Sequence, residues 1–284
     1  MQTGFGSSRN KFSPYLIVHT RVSPPPTVLN VSGGGGTGTS LTASTSASLD
    51  TFWSAVILRC TFDTGLIDLS NDNRVLGPQG SDVGVTTVIS KFGGYSLYSN
   101  GVPDNMVVAQ SNSTDTGPSG DFQQFTEFCL EGWVYPVANQ LQVAFGQYES
   151  ETISQRNIHV GLTAAGKLYM RITSNYSNTY VEIQSDTAVS LNTWTHIACT
   201  RDSSAIRLFI NGVVQSQTLT GWFSVDVSGY LSRLVLAGRR NEVTRFDIWN
   251  GYIDDVRFTK GSDGSGAVRY TTTFTPPINA LPLG

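Results

Sequence analysis

From Thr51 onward the chain keeps one texture. Short runs of β-branched and aromatic residues alternate with polar ones, and clusters of Gly, Asn, Asp and Ser separate the runs. In "KLYMRIT" a period of two puts Leu168, Met170 and Ile172 on one face. In "AIRLFI" it does the same for Ile206, Leu208 and Ile210. Similar runs are "WSAVILRCTF", "NMVVAQ", "LQVAFGQY", "NIHVGL", "TYVEIQ", "TWTHIACTR", "VVQSQTL", "RLVLAG" and "GYIDDVRFT". No segment holds apolar residues at helical spacing for three turns. The pattern predicts a dozen or more antiparallel strands, almost no helix, and two stacked sheets. Asn211-Gly212, between two apolar runs, is a hairpin signal because both residues accept positive φ. Gly166 in "TAAGKLYM" reads the same way.

The pattern stops at the N-terminal side of Asp50. Residues 1–31 form an arm with one short β-like run, Tyr15 to Val22, followed by Pro24–Pro26, which favour an extended polyproline conformation. Residues 32–50 are a Gly/Ser/Thr-rich linker, and such a chain spans on the order of 25 Å. Residues 51–284 are the strand-rich domain. The arm has too few apolar residues for a core of its own. It is either a solvated tail or an element that a partner completes. Arg9, Lys11 and Arg21 stand in it with no acid, which also fits docking on an acidic surface through these bases and Tyr15, Leu16, Ile17 and Val18. Gly33, Gly35 and Gly38 match G-x-G-x-x-G, but neither a strand before them nor a helix after them makes a dinucleotide site.

Composition narrows the function. Charged residues are 14% of the chain, the net charge is −3 and the pI is about 5.6, so charge gives no reason to expect nucleic acid as a partner. Cys60, Cys129 and Cys199 lie far apart in apolar strand-like runs and read as reduced core thiols, which points to folding in a reducing cytoplasm. No signal peptide is visible, and no stretch is long and apolar enough to insert in a membrane.

Four blocks in order over residues 52–277 resemble a known family. "WTHIACTRDSSAIRLFINGVVQ" looks like the signature hairpin of laminin-G-like, concanavalin A-like jelly rolls. "KFGGYSLYSNG" and "FTEFCLEGWVYP" resemble two earlier strands of that family, and "NGYIDDVRFTKG" with "VRYTTTFTPP" resembles its closing strand and tail. The resemblance implies an all-β, two-sheet antiparallel jelly-roll sandwich, here with an extended N-terminal arm. The closing tail is similar to copies in tailed-phage virion proteins and bacterial surface proteins.

Candidate sites are few. In the closing strand, alternation puts Tyr252, Asp254, Val256 and Phe258 on one face and Ile253, Asp255 and Arg257 on the other, with Asp255 facing water. A carboxylate among apolar neighbours needs backbone N–H groups, an arginine or a metal. The family resemblance implies the metal: a structural Ca²⁺ on Asp254, with neighbours at Thr61–Asp63 and Gly93–Gly94 and Asp63 as the second ligand candidate. Asp68, Asp72 and Asp82 lack the spacing of a calcium loop and read as solvated. His19, His159 and His196 share no metal spacing. Glu149 and Glu151 stand at i, i+2 without the third acid of a glucanase strand, so no catalysis is expected. Loop-like aromatics, chiefly Trp222, Tyr230 and Trp249 and also Tyr148, Tyr176 and Phe223, are candidates to stack on sugar rings or to pack at a rim.

The expected function is a non-enzymatic structural protein of a phage virion, a capsid decoration or tail-associated appendage. Its arm would hold other virion proteins, and the chain would form a homo-oligomer within the particle. The alternative is a glycan-binding adhesin for host-surface recognition.

Overall fold

The computed structural model describes residues 50–103, 105–109, 127–147, 158–173, 180–220, 234–240, 245–261 and 267–283. The arm, nearly all of the linker, His19, Tyr148, Glu149, Glu151, Tyr176, Trp222, Phe223 and Tyr230 lie outside the described residues.

A single 3₁₀ turn, Trp53–Ala55, precedes the strands. In chain order these are β1 (Val56–Cys60), β2 (Leu76–Gln79), β3 (Val83–Thr86), β4 (Ser96–Asn100), β5 (Met106–Ala109), β6 (Glu127–Pro136), β7 (Gln142–Gln147), β8 (Ile158–Leu162) and β9 (Lys167–Thr173). Then follow β10 (Tyr180–Ala188), β11 (Thr195–Arg201), β12 (Ala205–Ile210), β13 (Val213–Val214), β14 (Leu219–Thr220), β15 (Leu234–Leu236), β16 (Arg239–Arg240), β17 (Arg245–Phe246) and β18 (Asn250–Gly261). One sheet has nine strands in the order β13-β12-β11-β6-β18-β4-β3, with β1 beside β18 and β14 beside β12. The other has seven, β10-β9-β8-β7-β15-β5-β2, and β16–β17 form a separate hairpin. Every pairing between named strands is antiparallel. Pro78 sits in β2, at the end of its sheet, where the missing N–H costs no ladder bond.

The core fills the space between the sheets as the period-two pattern requires. Leu168, Met170 and Ile172 meet Ile206 and Leu208 there, with Ile210 at the margin. Asn211 and Gly212 have φ of 47° and 76° and join β12 to β13 as a two-residue hairpin. All three cysteines are free and buried.

β18 organises the nine-stranded sheet. It pairs β6 along most of its length, β4 along its first half and β1 along its second. Its register slips between Asp254 and Arg257, and Asp255 has a φ of 52°. This bulge inserts residues into the alternation. Ile253 therefore faces the core before it, and Val256 and Phe258 face the core after it. The expected face of Tyr252, Asp254, Val256 and Phe258 is corrected: Asp254 stays with Tyr252 on the outer face. The expectation that Asp255 faces water is also corrected. Asp255 is buried, ion-paired with Arg59, and accepts the Leu281 N–H at 2.8 Å. The positive φ lets its carboxylate reach Arg59 and the tail at Leu281.

Candidate cation loop and aromatic row

Asp254 is 1% exposed. Its Oδ2 accepts the backbone N–H groups of Lys91 (2.8 Å) and Phe92 (3.1 Å), while its buried Oδ1 has no partner among the described residues. Burial pushes the carboxyl up to about 7 against the pull of those two N–H bonds, and the neighbouring Asp255 charge adds to the rise. Asp63, from the segment after β1, packs on the same loop. A Cβ on Gly93 would fall 2.0 Å from Asp63 Oδ1, so this carboxylate lies directly on the glycine, and its Oδ1 is likewise buried and unpartnered. Gly93 has a φ of 60°, so only a glycine sits there without strain and without clash.

Two orphaned carboxylate oxygens thus border the four residues 91–94. Such atoms are costly unless a cation takes them up, and hard oxygen donors are what Ca²⁺ binds. No group of three His, Cys, Asp or Glu gathers among the described residues. A Ca²⁺ here would take Asp254 and Asp63 and fill its shell with carbonyls and waters.

Asp68 is not solvated as expected. It is buried and accepts the N–H groups of Arg59, Ser70 and Arg74 and the Ser70 hydroxyl, stapling the loop after β1. Asp82 is exposed and Asp72 pairs with Arg74.

Trp249 cannot stack on a sugar. It is 0% exposed and belongs to the core cluster. Its place before Asn250-Gly251 reads as a turn, but β18 starts there and turns the indole inward.

The aromatics that do line a surface are on strands. Gly84, Tyr98, Tyr252 and Tyr135 form one rung across β3, β4, β18 and β6. Trp194, just before β11, extends it. Ring centroids step by 5.0 Å (Tyr98–Tyr252), 5.8 Å (Tyr252–Tyr135) and 5.5 Å (Tyr135–Trp194). All four are half-buried. They lie on the outer face, as Asp254 does. A Cβ on Gly84 would meet nothing within 4 Å, so the row opens into free space beyond Tyr98. The next rung pairs Asn100 with Asn250, two amides beside the rings. On the other side Lys91 sits 3.9 Å over the Trp133 ring, against which Phe92 packs edge-on.

The remaining outer face is closed by the tail. Glu131, fully buried, accepts Arg257 Nε and Nη2 at 2.9 and 2.6 Å and the Tyr270 hydroxyl at 2.9 Å, with His196 Nε2 at 3.3 Å. Burial alone would push Glu131 up, but Arg257 and these hydrogen bonds hold it well below the carboxylate range. Arg257 also bonds Asp50, and Arg269 bonds both Asp50 oxygens at 2.9 and 2.8 Å. Phe274 packs on His196 and Phe209 and stacks on Tyr270 at 3.5 Å. His196 is therefore a packing residue.

A family model described as the concanavalin A-like lectin/glucanases superfamily, Laminin_G_3, matches residues 108–262, more than half of the chain. The chain belongs to this superfamily. No curated protein matches it in sequence. Among solved structures, this laminin-G-type jelly roll is similar to domain 4 of AbnA, an extracellular arabinanase from Geobacillus stearothermophilus in complex with arabinotriose. The TM-score is 0.53 and the identity 16%, over 75% of this chain and 95% of that one. It is similar to the binding domain of botulinum neurotoxin DC in complex with SialylT, with a TM-score of 0.50 and 16% identity over 73% and 48% of the two chains. It is also similar to a botulinum neurotoxin type C structure concerned with two ganglioside molecules, with a TM-score of 0.51 and 14% identity over 76% and 50%. The jelly roll spans about half of each toxin chain. At these identities the likeness is one of fold.

Proposed function

We propose that the jelly roll is a non-catalytic carbohydrate-binding domain whose ligand lies along the row Tyr98–Tyr252–Tyr135–Trp194. The row is the observation that carries this reading. Aromatic rings stack on the apolar face of a sugar, and adjacent amides such as Asn100 and Asn250 take its hydroxyls. The spacing of neighbouring strands, about 4.8 Å, sets one ring per step along a glycan. The rings are mutually tilted, by 40° to 82°, so they suit a single twisted chain better than a flat crystalline surface. The carbohydrates in the complexes of the arabinanase domain and the neurotoxin DC domain support the class of ligand. The carboxylates Glu131, Asp50, Asp255, Asp202 and Glu182 are held by arginines, which leaves them poorly placed for acid–base work on a glycan.

The test is titration of the full chain with arabinotriose, maltotriose and sialyllactose. Tyr252→Ala and Tyr135→Ala should each weaken binding by roughly three- to ten-fold, at about 0.5–1.5 kcal/mol per ring contact. Binding that both variants leave unchanged, in a folded protein, overturns the reading.

The arm belongs to the same proposal. Residues 1–31, through Arg9, Lys11, Tyr15, Leu16, Ile17, Val18 and Arg21, anchor the domain to a partner, by strand addition or wrapping on a virion subunit. Deletion of residues 1–46, which spares Asp50, should then abolish association with particles and keep sugar binding intact.

A further inference from the structure

The aromatic row is not electrically even along its length. At its β3 end stands Asp82, exposed just before that strand. At its β6 end stands Lys91. Trp133 lies two residues before Tyr135 on β6 and shares its face, and it pairs with Asp254 as Tyr135 pairs with Tyr252. The Lys91 ammonium sits 3.9 Å over the Trp133 ring and 5.5 Å from that of Phe92. The indole it covers is one rung, about 7 Å along the strand, from Tyr135.

Lys91 differs from the arginines of this sheet and its tail. Arg59 holds Asp255, Arg257 holds Glu131 and Asp50, and Arg269 holds Asp50. Lys91 is half-buried, and its side chain makes neither an ion pair nor a hydrogen bond among the described residues. The rings fix where its ammonium stands and take one side of it, which leaves N–H donors open. The nearby acids do not fill them. Asp254 is 1% exposed and bound to the Lys91 and Phe92 backbone N–H groups, and the unpartnered oxygens of Asp254 and Asp63 are both buried. The indole N–H groups of Trp133 and Trp194, the two indoles that flank Tyr135, also lack an acceptor among the described residues.

This end of the row therefore offers positive charge and donors beside a stacking surface. A neutral sugar would use the rings and leave the ammonium to water. A sugar acid uses both, because its carboxylate hangs from the carbon next to the ring oxygen, within reach of Lys91 when the ring lies over Tyr135. An ammonium needs no displacement of a carboxylate to take it, as each of the three arginines would. We infer that the row takes a glycan bearing a carboxylate, with its sugar rings on Tyr252 and Tyr135 and the carboxylate on Lys91, while the end beside Asp82 takes neutral residues. The inference rests on the row as the glycan site and adds to it a charge and a direction. Uronic acids and sialic acids share this chemistry.

Calorimetric titration of the full chain with trigalacturonate and with sialyllactose, each against its own methyl ester, tests the charge and separates the two sources. At least one acid should bind about three- to ten-fold tighter than its ester at low salt, the value of one hydrogen bond to a charged group at a part-open site. The difference should shrink at high salt. Lys91→Met keeps an apolar stem for Trp133 and the backbone N–H on Asp254, and should bring acid and ester to the same affinity. Lys91→Arg should keep the preference. Equal binding of acid and ester in both pairs, lost in the Tyr252→Ala and Tyr135→Ala proteins, overturns this inference and leaves the row standing. An acid preference that survives Lys91→Met overturns it as well. An acid preference that Lys91→Met removes while the row variants change nothing overturns the row, and with it the direction drawn here. Binding of neither acid by a chain that binds maltotriose or arabinotriose overturns this inference alone.

Discussion

One residue, Asp255, decides the chemistry of its neighbour. Because its positive φ ends the alternation of β18, Asp254 emerges on the outer face against the 91–94 loop rather than in the core. There it meets the loop against which Asp63, from the segment after β1, also packs. Calcium that binds only the folded chain stabilises it by about 2.7 kcal/mol at a hundred-fold excess over Kd. Thermal melts with EDTA and with Ca²⁺ should differ by several degrees for the wild type, and not at all for Asp254→Asn. Equal melting of the wild type in both conditions would sink the cation site. The bulge was not legible in the sequence: no pattern of apolar and polar letters marks where a strand takes an extra residue. The need for a partner was legible, since an acid in an apolar run must be paired.

At the scale of elements, the tail 267–281 is fixed to the nine-stranded sheet by charge as well as by rings. Glu131 is its anchor, reached by Arg257 and Tyr270. Replacing Glu131 by Gln leaves Arg257 short of a buried counter-charge and should cost about 3–5 kcal/mol in denaturant unfolding. Acid acts on the same contacts. The native pKa values of Glu131 and Asp50 lie below their ordinary values of 4.5 and 3.8. The native state binds fewer protons than the unfolded one there, so the stabilisation is complete above those ordinary values and is lost as pH falls from them toward the native ones. Unfolding followed between pH 6 and pH 2.5 should show the wild type losing stability through this window and Glu131→Gln losing less. A wild type as stable at pH 2.5 as at pH 6 counts against it. The strands themselves were legible from period-two runs, and so were their inward faces. The anchoring was half legible. Glu131 in "FCLEGWV", Arg59 in "VILRC" and Arg257 in "DDVRF" are single charges inside apolar runs and announce that partners exist. Which partner each takes depends on contacts up to 222 residues apart, such as Arg59 with the Leu281 carbonyl.

For the whole molecule, the sequence carries the architecture further than the site. Four motif blocks in order resemble the jelly roll, and the two-sheet sandwich follows. The surfaces were read from loops, because isolated aromatics near turn residues look exposed. Trp249 shows how that fails, and the row Tyr98–Tyr252–Tyr135 shows why: its members come from three strands far apart in sequence and become neighbours only through register.

The clasp between Asp50 and Arg269 has a mechanical side. The chain enters the sandwich at Asp50 and leaves its last strand shortly before Arg269, and these two side chains grip each other at 2.8 Å. A tug between the two flanks meets the end of the tail first, where Leu281 is bonded to Asp255 and Arg59, and reaches that grip only after the tail has peeled back from the sheet. The domain's ends are therefore guarded in series, the tail first and the clasp behind it.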